Sequence, residues 1–426
     1  MDDVNTLEIT EEKLSDAIKQ QFGNNKNFSI TDNGDGSFLV SMNDTQRMYY
    51  IDETGKIIDK ILKISTADEL KSFRDDVNSG NTYEGWYVYL ANDITLDINE
   101  EWEPIGLYSM ENSSPNDETN APFTGTFDGC GYEINGIYIN TTDKAQGLFG
   151  LVTGGKILNL GIGKNCDING GIATAGIVGY IFNGTTVANC YNNSDITGNK
   201  YYIGGIVGIS VTNCKVINAN NIGNINGLNT IGGIIGRSQI TSDIENCYNS
   251  GTVTGEYDVG GITGSIENQV NINQCYNTGK VGSTGKNTSG SSNVGGIIGF
   301  NMANITNCYN IGTINGAFKN IGGIIGLNRG TLENSFNTGI IEGSIDSKGS
   351  IVGNNNEFNQ YIGKIYNSYS LEGVVDKLIG SNNSIMGNEC SFKTDIELKK
   401  LYNVLGKSFK EDTNNINNGY PILQWQ

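Results

Sequence analysis

Apolar positions along the chain change their period four times, and each change marks the start of a new kind of element. In the first stretch Leu14, Ala17, Ile18 and Phe22 recur at helical spacing behind Thr10, which can cap a helix there. Alternation then takes over in FSIT (28–31), SFLVSM (37–42) and RMYYID (47–52). These predict three short strands joined by the turn residues Asp32-Asn33-Gly34-Asp35-Gly36 and Asn43-Asp44. Helical spacing returns in TADELKSFRDDVNS (66–79), where Thr66 and Glu69 form a capping box. Strand patterns follow in WYVYLANDITL (86–96) and FTGTFDGCGYEINGIYI (123–139), flanking a polar segment, 107–121, that reads as an exposed loop.

From residue 147 the period becomes much longer. A Gly followed by an apolar residue recurs at Gly147-Leu148, Gly176-Ile177, Gly205-Ile206, Gly233-Ile234, Gly261-Ile262, Gly296-Ile297 and Gly323-Ile324, with a degenerate copy at Ser350-Ile351. The steps are 29, 29, 28, 28, 35, 27 and 27 residues. A second signature, Asn-Cys-Tyr-Asn, lies between them and is clearest at 246–249 and 307–310. Such a period defines a structural repeat. About 28 residues at ~3.3 Å each make one coil of three short strands with their turns, and coils stack ~4.8 Å apart through parallel hydrogen bonds. The expected fold class is all-β dominated: a parallel β-helix with a small α+β N-terminal unit and a C-terminal helix/strand cap. Ile177, Ile206, Ile234, Ile262, Ile297 and Ile324 should share one inward column. Gly is expected at φ > 0 corners, with Asn substituting there and bonding along the stack.

The expected divisions are 1–62, a small α+β unit; 63–146, an N-terminal cap with the first coils; 147–390, the repeats; and 391–426, a C-terminal cap. In the last, Thr394-Asp395-Ile396-Glu397 opens a helix to about Leu405. The closing Tyr420–Trp425 segment is expected to pack on the last coil and seal the column.

Composition adds mainly exclusions. The chain has 426 residues, and its net charge of 27 − 46 = −19 disfavours nucleic acid, anionic membrane surfaces and acidic polysaccharides. Arg occurs only at 47, 74, 237 and 329. There is no His, which removes Ser-His and Cys-His nucleophile pairs and HExxH zinc sites. The opening MDDVNTLEITEEK has no apolar signal core, as expected where a leader or anchor has been removed or lies elsewhere.

Of the eight cysteines, Cys190, Cys214, Cys247, Cys275 and Cys308 are read as holding one repeat position, with Ser335 and Ser368 replacing it later. Cys130 and Cys166 fall in the first coils and Cys390 in the C-terminal cap. No CxxC pair is present, so these are expected to be buried thiols, with no metal and no cofactor. Asp32-x-x-Asp35-Gly36 lacks the later ligands of a calcium loop and reads as a hairpin turn. The pairs Asp75-Asp76 and Glu100-Glu101 read as solvated. Catalytic, metal, cofactor and ligand-binding residues are not assigned. Were there activity, Asp117, Glu118 and Asp128, beside the 107–121 loop, would be the participants, with the 283–293 insert as the second irregularity.

GLFG (147–150), GGIVG (204–208), GGIIG (232–236, 295–299, 322–326) and the NCYN segments resemble GLUG-motif repeats. That resemblance covers roughly residues 100–426. It implies a right-handed parallel β-helix on a bacterial cell-surface protein, like the non-catalytic region of IgA-specific metallopeptidases. It does not imply peptidase activity, since the HExxH motif has no counterpart. The helix-then-meander order of the first unit resembles a type IV pilin head. The expected function is a non-catalytic adhesin or pilin-like display subunit whose partner is a host surface protein or glycan, or a pilus or cell-wall component. The competing expectation is a β-helical glycosidase or lyase.

Overall fold

The computed structural model describes residues 28–32, 38–42, 47–51, 57–58, 60–108, 119–267, 269–283, 292–316, 319–343, 347–387 and 389–426. The predicted helix at 10–22 and the acids Asp117 and Glu118 lie outside these residues, as does most of the 283–293 insert.

The three predicted N-terminal strands form as Phe28–Asp32, Phe38–Met42 and Arg47–Ile51. A fourth strand, Ile57–Ile58, continues their antiparallel order. The chain then winds into a parallel β-solenoid of about 11 turns. One turn shows the plan: Tyr201–Gly204, Val207–Val211, Lys215–Ile217, Asn220–Asn221 and Ile225–Asn226. Each turn of the central repeats therefore carries five short strands, not the expected three. Paired with their neighbours, they form stacks of 7, 9, 12, 11 and 8 strands in that order. The difference arises at the corners, where two or three residues suffice to turn the chain.

The solenoid begins before the repeats are legible. Ile61–Ile64 pairs in parallel with Tyr87–Leu90 in the 12-stranded stack, and the helix Ala67–Asn78 makes the crossover between them. Its capping box is as predicted, with Thr66 accepting from the Glu69 amide. Leu70, Phe73 and Val77 are buried, and the Phe73 ring meets Phe123 at 5.7 Å and Phe127 at 5.9 Å.

Ile177, Ile206, Ile234, Ile262, Ile297 and Ile324 are all fully buried, and the Ile206 amide bonds the Ile234 carbonyl in the next turn. The single inward column is as expected. Beside it runs a buried amide ladder, Asn192–Asn221–Asn249–Asn277–Asn310–Asn337. Each Nδ2 donates to the next Oδ1 at 2.8 Å. A second ladder joins Asn301, Asn328, Asn355 and Asn382.

The roles of Gly and Asn at the corners differ from expectation. The left-handed corner is occupied by Asn itself, at Asn159, Asn189, Asn218, Asn246, Asn307, Asn334 and Asn367, the residues that open the NCYN-type segments. The repeat glycines have ordinary φ. They are required because the next turn's backbone lies where a Cβ would stand: at Gly205 it would meet the Gly233 carbonyl and Asn221 Oδ1.

The thiol column also needs correction. Register aligns Cys190, Ala219, Cys247, Cys275, Cys308, Ser335, Ser368 and Cys390. Cys214 stands five residues before Ala219, in a neighbouring column with Thr185 and Ser242. Cys390 belongs to the last turn and not to the cap. All eight cysteines are free, and six are buried. Burial pushes the Cys190 thiol up to about 12, so it is almost entirely protonated at neutral pH. Maleimide at pH 7 is expected to modify at most Cys130 and Cys166 in the native protein and eight thiols in denaturant. Rapid native labelling of a third cysteine would contradict the column.

The C-terminal segment does not seal the end of the solenoid. Its helix, Asp395–Lys399, has the predicted capping box from Thr394 and Glu397 but gives way to a 3-10 turn, Leu401–Asn403. The chain then runs back along the 11-stranded stack, whose outer face carries Tyr248, Tyr276, Tyr309 and Phe336, rings 5.0 Å apart and nearly parallel. Trp425 leans on Tyr276 at 5.6 Å, its Nε1 donating to the Gln274 carbonyl, and Tyr309 Oη bonds Gln426 Oε1. The aromatic tail thus packs on the flat rings of the flank. Among the described residues no helix is long and apolar enough to cross a membrane.

Candidate functional site

Asp128 is buried and is not a surface acid. Its carboxylate accepts from Tyr87 Oη at 2.8 Å, the Cys130 amide at 2.7 Å and Asn159 Nδ2 at 3.1 Å, and so anchors a third, outer ladder in which Asn246, Asn218 and Asn189 each donate to the preceding Asn, ending at Asn159. Among the described residues no group of three Cys, Asp or Glu side chains could hold a metal ion. The chemistry that is exposed lies elsewhere, along the seam where the 7-stranded stack meets the 9-stranded one.

The glycine motif builds that seam. Each turn passes from one stack to the other through Gly-Gly-x-x-Gly, and the third glycine sits against the backbone of the facing stack. A Cβ at Gly236 would stand 2.5 Å from the Tyr202 carbonyl carbon, and one at Gly264 the same distance from the Ile231 nitrogen. Without side chains there, the two stacks fold toward one another and leave a groove.

Two columns line it. On the 9-stranded side runs the column of residues after the third glycine, Tyr180, Ile209, Arg237, Ser265, Phe300 and Leu327 in successive turns, with Ile209 and Ser265 buried and the other four half-exposed. On the other side stand Ala173, Tyr202, Thr230, Asp258, Asn293 and Asn320. Ala145, Ala173, Tyr202 and Thr230 all adopt left-handed φ, between 56° and 66°. For a β-branched Thr this is an unfavourable conformation, and such positions concentrate at functional sites.

The groove deepens twice. A recess of about 410 Å³ near the N-terminal end is lined by Tyr108, Lys144, Ile172, Tyr180, Tyr202 and Ile209. The Tyr108 and Tyr180 rings stack there at 5.2 Å and 11°. Arg237 stands against Tyr202, one of its walls. Its guanidinium lies 5.2 Å from the Tyr202 ring centre, Nη1 donates to Tyr202 Oη at 2.7 Å, and Nη2 pairs with Glu267. Glu267 also accepts from Gln239. Burial pulls the Arg237 pKa down, but the Glu267 carboxylate holds it above the ordinary arginine value. Further along, a recess of about 260 Å³ is bounded by Asn229, Tyr257, Asp258, Phe300, Leu327 and Arg329. Arg237 and Arg329, the two arginines of the repeats, thus both lie on this one seam, in a chain of net charge −19.

Asp258 occupies a position that Asn holds in the next two turns. Asn293 Nδ2 donates to its Oδ1 at 2.6 Å, and Asn320 in turn donates to Asn293. Burial raises the Asp258 carboxyl from 3.8 to about 6, against the downward pull of Asn293 and Arg237. Between those pH values the folded chain keeps a proton that the unfolded chain has released. The resulting stabilisation is complete below pH 3.8 and is lost as pH rises through 6. Asp258→Asn continues the ladder without the charge. It is expected to stabilise the protein by roughly 1–2 kcal/mol at pH 7.5 and to give no gain near pH 3.5, read by urea unfolding at both values. A gain independent of pH would refute this account.

No seam residue was assigned from sequence. The signal was present: after the third glycine an otherwise regular motif carries Tyr, Ile, Arg, Ser, Phe and Leu in turn. What sequence could not show is that this position faces outward into a groove.

A family model for the GLUG motif matches residues 227–254 and 290–315, so the motifs suggested by the glycine spacing are shown in two of the repeats. No curated protein matches the chain in sequence. Among solved structures, that of an IgA1 protease is similar, with a TM-score of 0.40 and 16% identity over 81% of this chain. The match spans only 25% of that protein's length.

Proposed function

We propose that this GLUG-motif solenoid is a non-catalytic repeat protein of a bacterial cell surface, and that its seam holds an extended glycan. The observation that carries the reading is that half-exposed Tyr180, Tyr202 and Phe300 and both arginines of the repeats share one groove crossing successive turns. Flat rings stack on the apolar faces of sugars, while Arg, Glu and Asn between them match hydroxyls. A peptide would be captured differently, through main-chain bonds at a sheet edge. Here the stacked strands pair along the solenoid, so the seam presents side chains and not a free edge.

Against the glycosidase alternative, the seam's carboxylates are already engaged: Glu267 by Arg237 and Gln239, and Asp258 by Asn293. A glycosidase needs an acid and a second carboxylate disposed across the scissile bond. The test is binding of immobilised neutral tetrasaccharides to the wild type and to Tyr180→Ala/Tyr202→Ala, with reducing ends counted in parallel. Saturable binding, weakened at least tenfold by the double substitution, with a constant number of reducing ends, is expected. Binding indifferent to both tyrosines would refute the seam, and new reducing ends would refute the non-catalytic reading.

A further inference from the structure

The second recess of the seam differs from the first in one respect. In the first, Arg237 is neutralised by Glu267. In the second, Arg329 has no ion pair among the described residues. Its guanidinium lies 4.5 Å from the Phe358 ring centre and 5.4 Å from that of Phe300, and Nε donates to Asn356 Oδ1 at 3.1 Å. The rings and the Asn356 bond fix the guanidinium plane. Among the described residues both terminal nitrogens are without a hydrogen-bond partner. Burial alone pulls the Arg329 pKa below the ordinary arginine value, whereas Arg237 is held above it.

We infer that Arg329 is a carboxylate-binding subsite of the seam, which takes the acidic sugar of a largely neutral glycan. A planar guanidinium with two free NH₂ groups matches a carboxylate in two parallel hydrogen bonds. Phe300 and Leu327 offer apolar surface to the same sugar ring, and Asn229 and Tyr257, on the recess wall, face its hydroxyls. A phosphate is disfavoured: its second charge would face Asp258, which lines the same recess. A polyanion is disfavoured by the net charge of −19, which one fixed cation offsets for a single carboxylate and not for many.

The inference rests on the glycan reading of the seam, and the two can fail separately. The probes are a neutral tetrasaccharide capped by one glucuronate and the same compound with that carboxylate reduced to the alcohol, titrated by calorimetry. Wild type is expected to bind the acid form roughly ten- to hundredfold more tightly than the reduced form. Arg329→Met should bring the acid form to the affinity of the reduced one, and Arg329→Lys, which keeps charge but not the fork, should recover part of the difference. Equal affinity of wild type for the two probes would overturn the subsite and leave the seam standing. Binding of neither probe would overturn both. Discrimination that survives Arg329→Met would overturn the assignment to Arg329.

Discussion

Gly261→Ala is expected to destabilise the solenoid by about 3 kcal/mol, the top of the range for overpacking, although ordinary propensity predicts the opposite sign. At a Gly with ordinary φ, Ala restricts the unfolded chain and usually stabilises by about 0.4–1 kcal/mol. Gly261 has ordinary φ, but a Cβ there would press on the backbone carbonyl of Gly296 in the next turn and on the Asn277 amide, which is fixed in its ladder. Neither neighbour is the free end of a side chain, so the backbones must part and the turn-to-turn hydrogen bonds lengthen. Two controls separate the causes. Gly184, at φ 83° with nothing within 4 Å, should lose only about 1 kcal/mol on substitution by Ala, from backbone strain. Gly282, whose nearest neighbour is the Asn315 carbonyl at 3.2 Å, should change by less than that. Urea midpoints rank the three, and amide exchange shows whether the loss is local to the neighbouring turns, as a one-dimensional array predicts. A neutral Gly261→Ala would disprove the steric role of the glycine pair.

The second large effect is expected at Asn277. Its Oδ1 accepts from Asn249, and its Nδ2 donates to Asn310 Oδ1 and to the Gly279 carbonyl, all at 2.8 Å and with the side chain fully buried. Asn277→Ala removes three bonds. Asn249 Nδ2 keeps the Gly251 carbonyl and Asn310 Oδ1 keeps the Gly312 amide, so the uncompensated losses are the Gly279 carbonyl and the space left behind. A destabilisation of roughly 2–4 kcal/mol follows. Asn277→Asp should be worse at neutral pH, because it sets a buried carboxylate against the Asn310 Oδ1 acceptor. The exposed ladder gives the contrast. Asn218 donates to Asn189 at 3.0 Å in contact with water, and losing that bond should matter by under about 1 kcal/mol. Equal losses at Asn277 and Asn218 would show that burial does not govern the ladder.

Much of the architecture was legible because the repeat imposes its own register. A period of 27–29 residues with Ile at one fixed place can satisfy backbone and core together only if identical positions stack. The inward Ile column and the bonding of corner Asn along the stack, as from Asn218 to Asn189, were foreseen for that reason, whereas the buried ladders through Asn277 and Asn328 were not. Errors arose where two positions look alike in sequence and differ in depth. Cys214 sits five residues from the position Ala219 occupies, and only the strand pairing shows which of the two joins Cys190 and Cys247. Glycine was assigned to left-handed corners because it tolerates them, yet the corners are Asn and the glycines are there for closeness. Both roles read identically as a conserved spacing of Gly and Asn along the chain.

By itself the sequence determined the period, the inward column and the absence of imidazole chemistry, since each depends on residue identity and local spacing alone. Tertiary structure decided which of the outward residues share a surface. Tyr180, Tyr202, Arg237 and Arg329 are successively 22, 35 and 92 residues apart in the chain, and they share one groove because each turn of the solenoid brings the backbone back to the same seam. It also decided that Trp425 lies against Gln274, 151 residues back along the chain, on the flank formed by stacked Tyr248 and Tyr276. Contacts of that separation depend on where whole turns are placed, and no local pattern of residues encodes them.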